Sequence, residues 1–396
     1  MTAASTGTLT REEELHWLAL LLTPGLGTRG AQQLLERRRS PVSIFRASRS
    51  ELEGLGLSGS AAQSIASGTT FDDAVRQQEK LAAFGATLVP CLDPRYPERL
   101  REIYDPPVAL FARGRLELLN RVTVGVVGTR RPTTYGLSVA ERFGAGLAAA
   151  GIAVISGMAR GIDTAAHKGA LSVAGDTIAV LGCGVDLVYP AENRKLASEI
   201  ASRGLLLSEF PMMTPAYPQN FPVRNRVVAG MSAGILVVEG AQYSGSAITA
   251  RLAADQNREV FAIPGNITSN ASWGPNLLIK DGAHLVQTPQ DILDGLPLRD
   301  RTALTRQRSL TLGGGPPDES DKPQQNNVLE SLGPNQPLGR HLLGLLRPDQ
   351  TTNLDDLLAN VHNESSSEVI ATLFELELLG LVRQMPGKNF VRVWKE

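Results

Sequence analysis

Glycines, arginines and small hydroxyl residues recur directly after short apolar runs of this chain. A Gly-Thr-Arg segment at 128–130 follows the run at 122–127, and a Ser-Gly-Ser segment at 244–246 follows the run at 234–239. Backbone N–H groups at the start of a helix and arginine guanidinium groups are the donors that phosphates prefer. The types and spacing of these residues therefore indicate a site for a phosphate-bearing ligand.

Aromatic residues stand beside the same segments. Tyr189, Phe210, Phe221 and Tyr243 are close in sequence to the polar stretches, although each would equally suit a core. Phosphate donors combined with stacking rings are typical of proteins that bind single-stranded nucleic acid without reading its sequence. The candidate contact residues are Gly128, Thr129, Arg130, Ser156, Gly157, Gly161, Tyr189, Phe221, Arg224, Asn225, Arg226, Ser244, Gly245 and Ser246.

The alternation of apolar runs with amphipathic stretches predicts a fold that would bring these residues together. Near-continuous apolar strands separated by helices are typical of a parallel sheet that is covered on both faces. Right-handed crossovers make such a sheet doubly wound, with its ligand crevice at the carboxyl ends of the strands. We therefore predict an extended Rossmann-like α/β domain with a mostly parallel sheet over residues 85–298. The main runs are at 122–127, 152–156, 177–182, 205–210, 234–239, 259–265 and 283–287.

The sequence also excludes several common ligands. No Gly-x-Gly-x-x-Gly pattern follows the first strand, and Ser156 and Gly157 stand where a dinucleotide-binding protein has an acidic residue. There is no P-loop segment, and Cys91, Cys183 and the five scattered histidines show no metal-ligand spacing. A formal net charge of -1 excludes a globally basic nucleic-acid binder. We expect no cofactor, no metal and no catalytic residue.

Taken together, the segments resemble the DNA-processing protein A family, also called DprA or Smf. The resemblance implies an extended Rossmann domain that binds and protects single-stranded DNA and forms a homodimer. It also implies loading of RecA recombinase onto incoming DNA during natural transformation and recombination. It assigns DNA contacts to Arg130, Lys168 and Asn193. The matching stretches include GTRRPTTYG at 128–136, SGMARGIDTAAHKGAL at 156–171, TIAVLGCGVDLVYPAEN at 177–193, FPVRNRVVAG at 221–230 and SGSAITA at 244–250.

Residues 1–84 are predicted to form a small N-terminal all-α domain. Its TPGLG segment at 23–27 resembles the turn of a helix-hairpin-helix or a sterile-alpha-motif-like domain. Such a turn can present backbone amides to a phosphate, but a plain packing role explains the segment equally well.

Two segments follow the α/β domain. Residues 299–336 are polar and contain Gly-Gly-Gly-Pro-Pro, which predicts a flexible linker. Residues 337–396 have the pattern of three helices and a hairpin, and resemble a winged helix. The third helix, at 364–379, has four glutamates and no Lys or Arg, so it lacks the charges that drive binding to duplex DNA. We expect this domain to contact protein, or another part of the same dimer.

An enzyme is the main alternative. Rossmann-like nucleotide N-glycosidases, which act on nucleoside monophosphates, pair a loop arginine with a carboxylate, and Arg130, Glu239 and the segment 244–246 fit that description. The chain lacks the Pro-Gly-Gly-x-Gly-Thr loop of those enzymes, and its terminal domains suit an assembly factor better. We therefore expect a binding protein that is not an enzyme.

The N-terminal segment bears on location. The apolar run at 17–22 is far shorter than the ~20 residues that span a bilayer. Residues 1–17 lack the basic and then apolar pattern of a secretory signal. These features predict a soluble cytoplasmic protein that does not enter a membrane.

Overall fold

The structure is a computed structural model, and it describes residues 9–311, 336–346, 352–361, 365–379, 381–385 and 387–392. The chain divides into two compact units, Met1–Leu312 and Gly313–Glu396.

The first unit is built on a nine-stranded sheet. In chain order its strands are β1 (Thr87–Pro90), β2 (Ala109–Gly114), β3 (Thr123–Val127), β4 (Ala153–Ser156), β5 (Thr177–Val180), β6 (Leu205–Ser208), β7 (Gly234–Val237), β8 (Glu259–Ala262) and β9 (His284–Leu285). In space the order is β1-β2-β6-β5-β4-β3-β7-β8-β9. Strands β3 to β9 are parallel, whereas β2 pairs antiparallel with both β1 and β6. Strand addition proceeds outward in both directions from the neighbours β3 and β7, which makes the sheet doubly wound.

Both faces of the sheet are buried. Every residue of β3, β4, β5, β6 and β7 is buried, and neighbouring residues such as Val154 and Ile155 belong to two different apolar clusters. This alternation follows from the two-residue period of a strand. The predicted doubly wound, mostly parallel α/β fold is confirmed.

Helices cover the two faces. Those after the central strands are α8 (Thr134–Ala149), α9 (Ile162–Ser172), α10 (Arg194–Arg203), α11 (Asn220–Met231), α12 (Gly245–Asp255), α13 (Asn270–Lys280) and α14 (Pro289–Gly295). Buried residues of α8, α9 and α14 join the cluster on one face, and those of α10, α11 and α12 join the cluster on the other. Within the described residues, no helix is long and apolar enough to cross a membrane.

The N-terminal helices contribute to the apolar cluster that contains the buried residues of α10, α11 and α12. They are α1 (Arg11–Leu21), α2 (Gly27–Arg38), α3 (Pro41–Phe45), α4 (Arg49–Gly54), α5 (Gly59–Ser67) and α6 (Phe71–Phe84), and the short helix α7 (Glu98–Arg101) follows β1. Trp17 and Leu34 share one apolar cluster with Leu88 and Phe111 of the sheet. The boundary predicted at residue 84 therefore coincides with the end of a helix, while the apolar core continues across it.

A helix, α15 (Leu298–Thr311), lies where the sequence predicted the start of a flexible linker. Asp300 is buried and forms an ion pair with Arg99. Leu304 is buried in the same apolar cluster as Ile292 of α14. The ion pair and the buried leucine offset the entropy cost of ordering this helix, which a polar composition alone does not reveal. The rest of the predicted linker, at 312–335, lies outside the described residues.

The second unit is small and has its own core. Its elements are α16 (Gln336–Leu345), β10 (Thr352–Asn353), α17 (Leu354–Ala359), α18 (Ser366–Leu378), β11 (Val382–Met385) and β12 (Asn389–Arg392), with the antiparallel strand order β10-β12-β11. Leu342, Leu373, Leu376 and Phe390 are buried together. The elements match the three helices and hairpin expected from the sequence, and the assignment to the winged-helix class stays a prediction.

The docking of α15 can be tested with Asp300→Ala. This change leaves the guanidinium of Arg99, whose side chain is 15% exposed, without its carboxylate. We expect the free energy of unfolding to fall by about 3 kcal/mol, because breaking a buried ion pair leaves an uncompensated charge. Urea denaturation of the full chain measures this.

The matched control is Glu199→Ala, which removes the exposed pair between Glu199 and Arg203. An exposed pair contributes little, so the control should change stability by less than about 1 kcal/mol. Equal effects of the two substitutions would contradict the docking of α15.

Candidate functional site

A cleft of about 670 Å³ opens at the carboxyl ends of the parallel strands, beside the β3 and β7 switch point. Its walls come from the loops after β3, β4 and β5, from the segment before α11, and from the N-terminal halves of α11 and α12. The carboxyl edge of a doubly wound sheet is where such folds bind ligands. The cleft therefore lies where the sequence placed the site.

Arg224 lies under the floor of the cleft. Its side chain is 4% exposed, and its Nη1 donates to the carbonyl oxygen of Val180 at 2.6 Å and to that of Gly157. Burial lowers the pKa of Arg224, while the charge of Asp163 opposes that shift. The guanidinium thus joins the ends of β4 and β5 to α11, and it adds positive potential beneath the cleft.

Asp163 fixes the loop after β4. Its Oδ2 accepts hydrogen bonds from the backbone N–H groups of Gly157 at 3.1 Å and Ala159 at 3.3 Å. Burial raises the pKa of Asp163, whereas Arg224 and the two backbone donors act to lower it. A Cβ atom on Gly157 would overlap the Arg224 guanidinium, so the close approach of loop and arginine requires glycine at this position.

Glu239 fixes the loop after β3. It is 3% exposed; its Oε2 accepts from the backbone N–H of Thr133 at 2.9 Å, and its Oε1 accepts from the Thr133 hydroxyl at 2.6 Å. The Thr133 Oγ1 in turn accepts from the backbone N–H of Gly136 at the start of α8. The sequence indicated a phosphate site at the Gly-Thr-Arg segment 128–130, which lies shortly before α8. In the structure the carboxylate of Glu239 lies at that helix end, where it competes with any external anion.

The N-terminus of α12 borders the cleft. Ser244, Gly245 and Ser246 are lining residues, and the first turn of this helix has no acidic residue. The space beside Gly245 is open, because a Cβ atom there would meet nothing within 4 Å. The dipole of this eleven-residue helix favours an anion at this end.

Two aromatic rings of the cleft lie close to each other and to two arginines. The Cζ atoms of Arg130 and Arg224 lie 5.4 Å and 5.9 Å from the ring centroid of Phe221. The rings of Tyr189 and Phe221 are 5.4 Å apart. Arg130 is exposed and, among the described residues, makes no ion pair. Its positive charge is therefore available to a ligand beside an aromatic face.

Most of the predicted residues come together, and the others do not. Ser156, Gly161, Lys168, Asn193 and Arg226 lie outside the cleft lining. Those that line the cleft are Gly128, Thr129, Arg130, Gly157, Tyr189, Phe221, Arg224, Asn225, Ser244, Gly245 and Ser246.

Arg226 differs most from expectation. It is buried, its guanidinium pairs with Glu209, and its Nε lies 3.3 Å from Asp105 Oδ2. Burial raises the pKa of Glu209 to about 7, although the charge of Arg226 opposes the shift. Arg226 forms its ion pair with Glu209 on the side of α11 that faces away from the cleft. Its guanidinium is therefore not positioned to contact a ligand in the cleft.

Ser156 and Asn193 have structural hydrogen bonds. The hydroxyl of the fully buried Ser156 donates to the carbonyl oxygen of Val126 at 2.6 Å. The side-chain amide of Asn193, which is also buried, donates to the carbonyl oxygen of Met158 and to the hydroxyl of Thr164, both at 2.9 Å. Both side chains stabilise the loop after β4 instead of facing the cleft. Lys168 is exposed on α9, outside the cleft.

The apolar part of the lining was missed from sequence. Val228 and Ile248 line the cleft on α11 and α12. Each lies four residues after a predicted contact, Arg224 or Ser244, and positions four apart share one face of a helix. That spacing was the signal that could have found them. Among the described residues, no group of three or more His, Cys, Asp or Glu side chains could hold a metal ion.

The fold and the cleft define a Rossmann-like α/β protein whose switch-point site is suited to a phosphate-bearing ligand. A model of the family described as DNA recombination-mediator protein A matches residues 87–297, which is more than half of the chain. The chain belongs to this family, and the resemblance noted from its motifs is confirmed.

Individual relatives agree with this assignment. The protein Smf of Escherichia coli K12 is 39% identical over 307 residues, which cover 77% of this chain and 77% of that protein. The DNA processing protein DprA of Bacillus subtilis 168 is 41% identical over 224 residues, covering 56% of this chain and 75% of that protein. The X-ray structure of DprA from Streptococcus pneumoniae aligns with a TM-score of 0.62 and 34% identity, covering 72% of this chain and 98% of that one. The description of the family names a recombination mediator and no enzymatic activity. This agrees with the expectation that the chain is not an enzyme.

The contact between the β4 loop and Arg224 predicts the effect of Gly157→Ala. The added methyl group overlaps the guanidinium, so either the loop or Arg224 must move. We expect the free energy of unfolding to fall by about 1–3 kcal/mol, the usual cost of overpacking. Chemical denaturation of the full chain gives this value.

The matched control is Gly245→Ala, where a methyl group enters open space at the first turn of a helix. Its stability should stay level or rise by up to about 1 kcal/mol. If Gly157→Ala changed the free energy of unfolding no more than the control does, the close contact between Arg224 and the loop after β4 would be wrong.

Proposed function

We propose that the cleft binds single-stranded DNA. We also propose that the chain works as a homodimer in the cytoplasm. There it protects incoming DNA and loads RecA recombinase onto it in natural transformation and recombination. The observation that carries the DNA-binding part is that Arg130, Phe221 and Arg224 line the same cleft as the N-terminal residues of α12. It combines cations, an aromatic face and a helix end in one exposed cleft.

The phosphate contacts fall on two walls. Arg130 offers its guanidinium on one wall, and the exposed Arg131 lies next to it. The backbone amides of Gly245 and Ser246 offer a helix N-terminus on the other. Such contacts bind the backbone of a strand and carry no sequence information. Binding of this kind is sequence-tolerant and salt-dependent.

The base contacts involve Phe221 and Tyr189. Both rings line the cleft, and Tyr189 is half exposed. Bases of a single strand stack on such faces, whereas bases paired within a duplex cannot reach them. This difference favours a single strand over a duplex. Lys168, exposed on α9, remains a proposed contact for the strand beyond the cleft.

The N-glycosidase alternative has less support. That chemistry requires a carboxylate free to act on the sugar, and Glu239 is buried with both oxygens engaged by Thr133. The description of the family as a DNA recombination mediator supports the RecA part of the proposal. The homodimer part rests on the resemblance alone.

The first test is Arg130→Ala. Removing one exposed phosphate contact should weaken binding to single-stranded DNA by about tenfold or more, since a hydrogen bond to a charged group is worth about 1.5–3 kcal/mol. The loss should be similar for all base compositions, and the slope of log K against log salt should shrink by about 0.7. Fluorescence anisotropy with labelled oligonucleotides at several salt concentrations measures both.

Arg142→Ala is the matched control, because Arg142 is an exposed arginine on α8 that does not line the cleft. It should leave affinity within about twofold. An Arg130→Ala protein that binds as tightly as this control would remove the basis of the proposed site.

The second test concerns stacking. Phe221→Leu should cost about 1–3 kcal/mol of binding free energy to oligothymidylate, whereas Phe221→Tyr should retain most of it, because a tyrosine ring still stacks. The sharper comparison uses a strand of the same length without bases. Wild-type protein should prefer the strand with bases, and Phe221→Leu should lose part of that preference. An unchanged preference would exclude Phe221 as a stacking face.

A further inference from the structure

One helix of the second unit leaves apolar side chains uncovered. On α18, Val369, Leu373 and Leu376 are buried in the core of that unit. On the other side of the same helix, Ile370 is 49% exposed and Phe374 is 60% exposed. Positions four apart lie one above the other on a helix surface. The two side chains therefore form one continuous apolar patch, which we call the α18 patch.

Acidic residues are frequent in α18 and in the segment before it. Residues 354–379 contain six acidic residues and no Lys or Arg. Glu368, in the first turn of α18, forms a capping box with Ser365. Glu375 and Glu377, which follow Phe374 in sequence, are half-buried. Glu377 also accepts a hydrogen bond from the backbone N–H of Gln384 at 2.9 Å, which fixes its carboxylate near the hairpin. Glu377 lies three positions after Phe374, so it adds a carboxylate on the side of the helix that carries the patch.

This combination is unsuited to duplex DNA. A helix that enters a groove needs positive charge to release counterions from the phosphates, and α18 has none. A large exposed phenylalanine among carboxylates is typical of a protein-docking surface, because aromatic anchors supply most of the binding energy in such surfaces. Complementary charge around the anchors selects the partner.

We propose that the α18 patch docks a basic, amphipathic helical segment of a protein partner. Apolar side chains of that segment cover Ile370 and Phe374, and its Lys or Arg residues lie against the glutamates of α18. The docked segment belongs to another protein. The patch lies in the second unit and the cleft lining in the first, so this proposal does not depend on the proposed DNA contacts.

The test uses the full chain and a short fluorescent peptide of leucine and lysine with helical periodicity. The same peptide with glutamate in place of lysine serves as the charge control. We expect binding of the basic peptide, weakened by high salt, and no binding of the acidic one. Phe374→Ser should weaken peptide binding about tenfold or more, as loss of a central anchor does, while Phe374→Leu should restore most of it.

The matched control is Val173→Ser, another exposed apolar residue, in the first unit. It should leave peptide binding unchanged, and thermal unfolding should show that Phe374→Ser keeps the fold. Equal peptide binding by Phe374→Ser and Val173→Ser would overturn the proposal. So would duplex DNA binding that is lost in Phe374→Ser, which would make the patch a nucleic-acid surface. Self-association of the chain that disappears in Phe374→Ser would also overturn it, because the occupant would then be a second copy.

Discussion

The buried guanidinium of Arg224 is the interaction on which the cleft depends. A charged group removed from water is costly unless it is paired and hydrogen-bonded. Here the carbonyl oxygens of Gly157 and Val180 accept from it, and the Asp163 carboxylate opposes the loss of its charge. One side chain thereby ties two strand ends to α11. Since Phe221 lies one turn earlier on that helix, the same contacts set the position of the aromatic wall.

Carboxylates inside the protein decide which helix end remains open. Asp163 holds the amides of the β4 loop, and Glu239 lies at the N-terminus of α8. These carboxylates accept hydrogen bonds from backbone N–H groups that could otherwise bind a phosphate. The first turn of α12 has no such internal acid and borders the cleft. Among the described cleft residues, the first turn of α12 and the exposed arginines at 130 and 131 are therefore the places that we propose for an external phosphate.

Much of the fold could be predicted from sequence, and the limits of that prediction have physical causes. Strands that are buried on both faces are apolar at nearly every position. Apolar runs such as 122–127 therefore predicted the strands of the sheet. The error at Arg226 arose because residues were grouped by loop and not by helix face. Arg224 and Arg226 are two positions apart, which is about 200° around a helix, so they point to opposite sides. The helical structure of α15 could not be predicted because it is stabilised by a long-range ion pair between Asp300 and Arg99. Sequence proximity gives no sign of such a pair.

The most direct measurement is photocrosslinking of the full chain to a single strand that contains a photoreactive thymine analogue, followed by mass spectrometry of the linked peptides. The account predicts that the crosslinks fall on the cleft wall at Phe221 and Tyr189, and that excess unlabelled single strand suppresses them far better than duplex does. Crosslinks confined to the N-terminal helices or to the second unit, with none on the cleft wall, would contradict it.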